Sequence, residues 1–91
     1  MILWEEESLN DRERIFEFLY GFNPAAADEA DKVIEDKVEN LLRHPFMGVQ
    51  RSGIKGQLFI IPEISMVVSY SVEGSVIRVM RVLHQKQKFP A

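Results

Sequence analysis

Apolar residues recur at helical spacing in two early stretches and at strand spacing in three later ones. Ile2-Leu3-Trp4 is a short apolar start suited to an edge strand. Ser8 then offers an N-cap, with Asp11 three residues on in the position of a capping box. Leu9, Arg12, Ile15, Phe16 and Leu19 follow on one side of a helix, and Gly21 suits its end. Asn23-Pro24 restarts the chain: asparagine caps, proline takes the first helical position, and Asp28, Glu29 and Asp31 favour the positive end of the helix dipole. Ala27, Ala30, Ile34, Val38, Leu41 and Leu42 continue the apolar stripe. Pro45 predicts a stop near Arg43-His44, because the ring of a proline pushes the residue before it out of helical geometry. Two amphipathic helices joined by a short turn make a hairpin.

After Pro45 the period changes. Residues 46–56, with three glycines among small and polar side chains, read as a loop. Residues 57–61 form a strand that Pro62-Glu63 breaks, and residues 66–71 form a second, with Met66, Val68 and Tyr70 on one face. Glu73-Gly74 makes a turn into a third strand, 75–83, apolar on both faces except for Arg78 and Arg81. Such a strand belongs in the centre of a sheet, covered by helices on one side. The predicted class is α+β: an N-terminal strand and a helical hairpin packed on a mostly antiparallel sheet, in one domain spanning residues 1–91.

Composition narrows the chemistry. With 46% apolar residues the 91-residue chain can bury a core, and no run of eighteen apolar residues is present. The start, with Glu5, Glu6 and Glu7 directly after Trp4, lacks the basic and apolar regions of a signal peptide, which predicts a cytoplasmic protein. There is no cysteine, and His44 and His84 stand alone, so neither a disulfide nor a metal site is expected. No glycine-rich phosphate loop or nucleophile motif occurs, and no cofactor is implied. The net charge of −3 hides a split: residues 1–40 carry −8 and residues 41–91 carry +5. The C-terminal half can therefore present a positive face, or an acidic helical layer and a basic sheet can solvate themselves.

The candidate chemistry lies in that second half. Arg51 and Lys55 occupy the loop, Arg78 and Arg81 the last strand, and His84, Lys86 and Lys88 follow, with Phe89-Pro90 at the tail. Metal-free RNA cleavage needs a base, an acid and cations on the phosphate, and these residue types could supply the last two. Such a set also suits binding of an acidic partner. Phe89 could stack on a base, dock on a protein or cap the core.

Several stretches together resemble the RelE/ParE family of bacterial toxins. These are the opening Ile2-Leu3-Trp4 before an acidic helix, Leu41-Leu42-Arg43-His44-Pro45 closing the second helix, Met66-Val67-Val68-Ser69-Tyr70, and Arg81-Val82-Leu83-His84 before a basic tail. The last looks like the ParE-type ending. The resemblance implies the toxin half of a type II toxin–antitoxin pair, wrapped by a small antitoxin through which the pair binds operator DNA. ParE-like members poison DNA gyrase; RelE-like members cut messenger RNA on the ribosome.

The RelE-like site uses an arginine and a tyrosine at the strand positions held here by Val67 and Met66, and a late tyrosine, whereas none follows Tyr70. Loss of one such cation costs about 2.7–4 kcal/mol of transition-state stabilisation. The resemblance therefore points to gyrase. Arg51, Lys55, Arg78, Arg81, His84, Lys86, Lys88 and Phe89 are the candidate target-binding residues. If the chain is instead a ribonuclease, Lys55, Arg81 and His84 are its candidate catalytic residues. The antitoxin is expected to dock through apolar side chains, its acidic groups reaching the basic half.

Overall fold

A computed structural model of the protein describes residues 1–50 and 56–86. The order is β1 (Ile2–Trp4), α1 (Glu6–Tyr20), α2 (Pro24–Glu39), a 3-10 turn at Asn40–Leu42, β2 (Gln57–Ile61), a second 3-10 turn at Pro62–Ile64, β3 (Met66–Glu73) and β4 (Val76–His84). The four strands lie in the order β1-β4-β3-β2. β1 runs parallel to β4, while β2–β3 and β3–β4 are antiparallel. β4 is thus central and β1 an edge, as the apolar pattern predicts.

The helical hairpin begins earlier than the cap residues suggest. α1 starts at Glu6, with Glu5 as its unaided cap, and Ser8 is buried inside the first turn, where its hydroxyl donates to Glu5 O at 2.6 Å. Ser8 is therefore not the N-cap, and Asp11 is not its capping-box partner. Arg12, Ile15, Phe16 and Leu19 lie on the inward side as the spacing predicts, but Ser8 and Asp11 are its buried residues and Leu9 is exposed. α2 follows its sequence: Asn23 Oδ1 accepts from the backbone N–H of Ala25 and Ala26, and Pro24 opens the helix. Ala27, Ala30, Ile34, Val38 and Leu41 are buried, whereas Leu42 faces solvent.

Arg12 joins the layers. Its guanidinium lies 4.5 Å from the Trp4 ring centroid and bonds Asp31 and Glu35 of α2 at 2.8–3.0 Å. Ile34, Val38 and Leu41 pack on Ile61, Val68, Tyr70, Ile77, Val79 and Val82 to form the core. The register of β3 on β4 slips between Ser69, opposite Arg81, and Tyr70, opposite Val79. The extra residue, Met80, shifts the alternation by one, so that Val82 joins Ile77 and Val79 in the core.

Candidate functional site

Of the candidate residues, Arg51, Lys55, Lys88 and Phe89 lie outside the described residues, and Lys86 is exposed in the turn after the last strand. Arg78 and Arg81 sit on β4 and are already partnered by carboxylates. Arg78 donates through Nε and Nη2 to Glu73, at the end of the neighbouring strand, and through Nη1 to Glu5. These partners raise its pKa beyond the usual arginine range. Arg81 donates from Nε and Nη2 to the two oxygens of Asp11 at 2.8 and 3.1 Å, with Glu7 3.7 Å away. Those carboxylates likewise raise its pKa.

Asp11 is the centre of this arrangement. Its side chain is 3% exposed, yet it accepts from Arg81, from Arg14 at 2.6 Å and from the backbone N–H of Val82 at 2.9 Å. β1 pairs with β4 only as far as Val79, so the Val82 amide has no strand partner on that side, and Asp11 takes the role of the missing strand. Burial alone would push the carboxyl up, but the bonds from Arg81, Val82 and Arg14 outweigh it and hold the pKa below the ordinary carboxylate value. Nothing in the sequence marks this role, because the local spacing reads Asp11 as the capping-box partner of Ser8.

The helical and sheet layers thus exchange charge across their boundary. Arg78–Glu5 and Arg81–Asp11 join strand to helix, and Lys37 of α2 meets Glu63 at 3.3 Å. His84 ends β4, where its Nδ1 accepts from the Lys86 amide at 3.2 Å. Val67, at the position where the ribonuclease branch carries arginine, is buried on β3 between Ile60 and Leu83. Tyr70 is fully buried, and its hydroxyl is engaged with Gly48 N, Pro45 O and Gln57 Oε1. Burial raises its pKa. Among the described residues no group of three or more metal-ligating side chains occurs. No described helix is long and apolar enough to cross a membrane.

Beside Arg81 opens an apolar groove of about 930 Å³. Ile15, Phe18 and Leu19 of α1 and Ala30 and Val33 of α2 form one wall; Met66, Val82 and Leu83 lie on the sheet side. Asp11, Arg14, Glu29, Glu63, Arg81 and His84 supply its polar groups, of both signs. Phe18 stays 68% exposed on the groove wall, its ring tilted at 59° to that of Phe22 with 5.2 Å between centroids. An open trough, apolar with charged edges, has the character of a surface that takes an amphipathic helix.

No curated protein matches the sequence. The fold resembles a solved structure described as the chromosomal ParDE TA system from P. aeruginosa, with a TM-score of 0.79 and 20% identity, over 91% of this chain and 92% of that one. Residues 2–89 match the family described as the ParE toxin of type II toxin-antitoxin system, parDE. With the match covering nearly all of a chain already shown to have the helical hairpin, the mixed sheet and the Arg81–His84 ending, this protein belongs to the ParE toxin family of type II toxin–antitoxin systems.

Proposed function

We propose that the chain arrests bacterial growth by acting on DNA gyrase in the cytoplasm, and that a cognate antitoxin neutralises it by laying an amphipathic segment in the groove between the helical hairpin and the sheet. The observation that carries the choice of target is the state of β3 and β4. Val67 is buried without charge, and both guanidiniums of β4 are bonded to carboxylates. A phosphate-cleaving site needs cations free to meet developing negative charge. Here Arg81 would first have to leave Asp11. The groove supports the antitoxin half of the reading, because its apolar wall stands open among the described residues, with Phe18 68% exposed.

The test is a side-by-side assay with purified protein. Gyrase-cleaved plasmid should accumulate in a dose-dependent manner, while message on a ribosome with a vacant A site stays intact. Cut message with no metal added and gyrase unaffected would establish the ribonuclease reading instead, with Lys55, Arg81 and His84 as the groups to replace. Co-expression of the antitoxin should restore growth.

A further inference from the structure

A second apolar surface lies apart from the groove, where the turn after α2 meets the β2 edge. Leu42, Phe46, Met47, Val49 and Ile60 are between 44% and 71% exposed there. Val49 is bridged to Leu58 by two backbone bonds of 2.9 Å, which sets it beside β2, and Ile60 follows two residues along that strand. Phe46 and Met47 share a shallow concavity with Arg43. Single apolar residues scattered over a surface are ordinary, but five along one turn and one strand edge mark a contact site.

The turn that carries them is built rather than loose. The buried Tyr70 hydroxyl donates to Pro45 O at 2.8 Å and accepts from Gly48 N at 2.9 Å. Gly48 is required, since a Cβ would stand 2.7 Å from that hydroxyl and 2.8 Å from Leu58 O. A core tyrosine thus holds the turn in a shape that turns Phe46 outward, ready to bind without a large ordering cost.

Charge says what kind of partner fits. Among the described residues of this turn and strand, 40–50 and 57–62, no side chain is acidic, while Arg43 lines the concavity beside Phe46 and Met47. The complement is therefore acidic with an apolar centre. Interfaces with nucleic acid are polar and strongly positive, which an apolar patch on a chain of net charge −3 does not match. None of these residues lines the groove. We propose that this surface docks an acidic, apolar-centred segment of the toxin's protein target, leaving the groove to the antitoxin. The proposal rests on the toxin reading above.

The experiment compares wild-type full-length protein with Phe46→Ser, Ile60→Ser and Arg43→Glu in three measurements: thermal midpoint with affinity for purified antitoxin, growth arrest on expression, and trapping of cleaved DNA by purified gyrase. The variants should keep the midpoint and bind antitoxin within about twofold of wild type. The protein concentration for half-maximal trapping should rise about tenfold or more, as on loss of an anchoring aromatic, and growth arrest should fade. Undiminished arrest and trapping would overturn the proposal. So would a loss confined to antitoxin affinity, a wild-type dimer that Phe46→Ser dissociates, or binding to plain duplex DNA that Arg43→Glu abolishes. Wild-type protein that arrests growth without trapping gyrase defeats the choice of target alone, and the arrest readout then decides the surface. Wild-type protein that leaves growth untouched removes the toxin reading and this proposal with it.

Discussion

Asp11 shows how one side chain can stand in for a strand. Its carboxylate satisfies the Val82 amide that β1 is too short to reach and neutralises Arg81 at the same time. Asp11→Ala should cost about 2–3 kcal/mol, since a buried amide and a partly buried guanidinium lose their acceptor together. The folded-state pKa is depressed, so the stabilisation from Asp11 is complete above the unfolded-state pKa and lost as pH falls through the folded value. Thermal midpoints measured from about pH 6 down to about pH 2 should fall more steeply for wild type than for Asp11→Asn. Parallel curves would mean that the carboxylate contributes nothing by its charge. Tyr70 plays a comparable part at the other edge. Tyr70→Phe keeps the ring but removes the acceptor for Gly48 N and the one proton that Pro45 O and Gln57 Oε1 share, which should cost about 1–3 kcal/mol and speed hydrogen exchange at the Gly48 amide.

At the scale of elements, the hairpin is held by local chemistry at its turn and by packing along its length. Asn23→Ala removes the acceptor for two helix-start amides and should cost about 1 kcal/mol, or roughly 4–8 °C in midpoint for a domain of this size. The groove that the hairpin shares with the sheet has a different sensitivity. Phe18 is mostly exposed, so Phe18→Asp should leave the midpoint nearly unchanged. It should nevertheless weaken antitoxin binding about tenfold or more, because it puts a charge at an apolar contact. Growth arrest would then persist even with the antitoxin co-expressed. Titration calorimetry showing undiminished affinity would place the antitoxin elsewhere.

For the whole molecule, the folded chain redistributes the charge split of its sequence. Arg78 and Arg81 belong to the positive half by position but are neutralised by Glu5, Glu73 and Asp11. Steering of an acidic antitoxin is left to exposed cations such as Lys86, which follows His84 at the edge of the groove. The association rate should therefore fall as salt rises, by no more than about tenfold between low and high ionic strength. Stopped-flow mixing over that range measures it, and a rate indifferent to salt would remove the electrostatic contribution.

What the sequence by itself determined are the features that depend on near neighbours. Asn23-Pro24 starts a helix wherever it sits, and Ala27, Ala30, Ile34 and Val38 share a face because the helical period puts them there. Met66, Val68 and Tyr70 alternate inward for the same kind of reason, and the breaks at Pro62 and Gly74 follow from backbone geometry. Only tertiary structure decided the partners of groups far apart in the chain. Asp11 meets Val82 across 71 residues, Glu5 meets Arg78 across 73, and the Tyr70 hydroxyl meets Pro45 across 25. Ser8 illustrates the limit: its residue type suits a cap, but β1 and β4 set where the helix begins, and Ser8 is drawn inside. Local pattern selects which face is apolar, whereas long-range packing decides which carboxylate finds which cation and which apolar side chains are left for a partner.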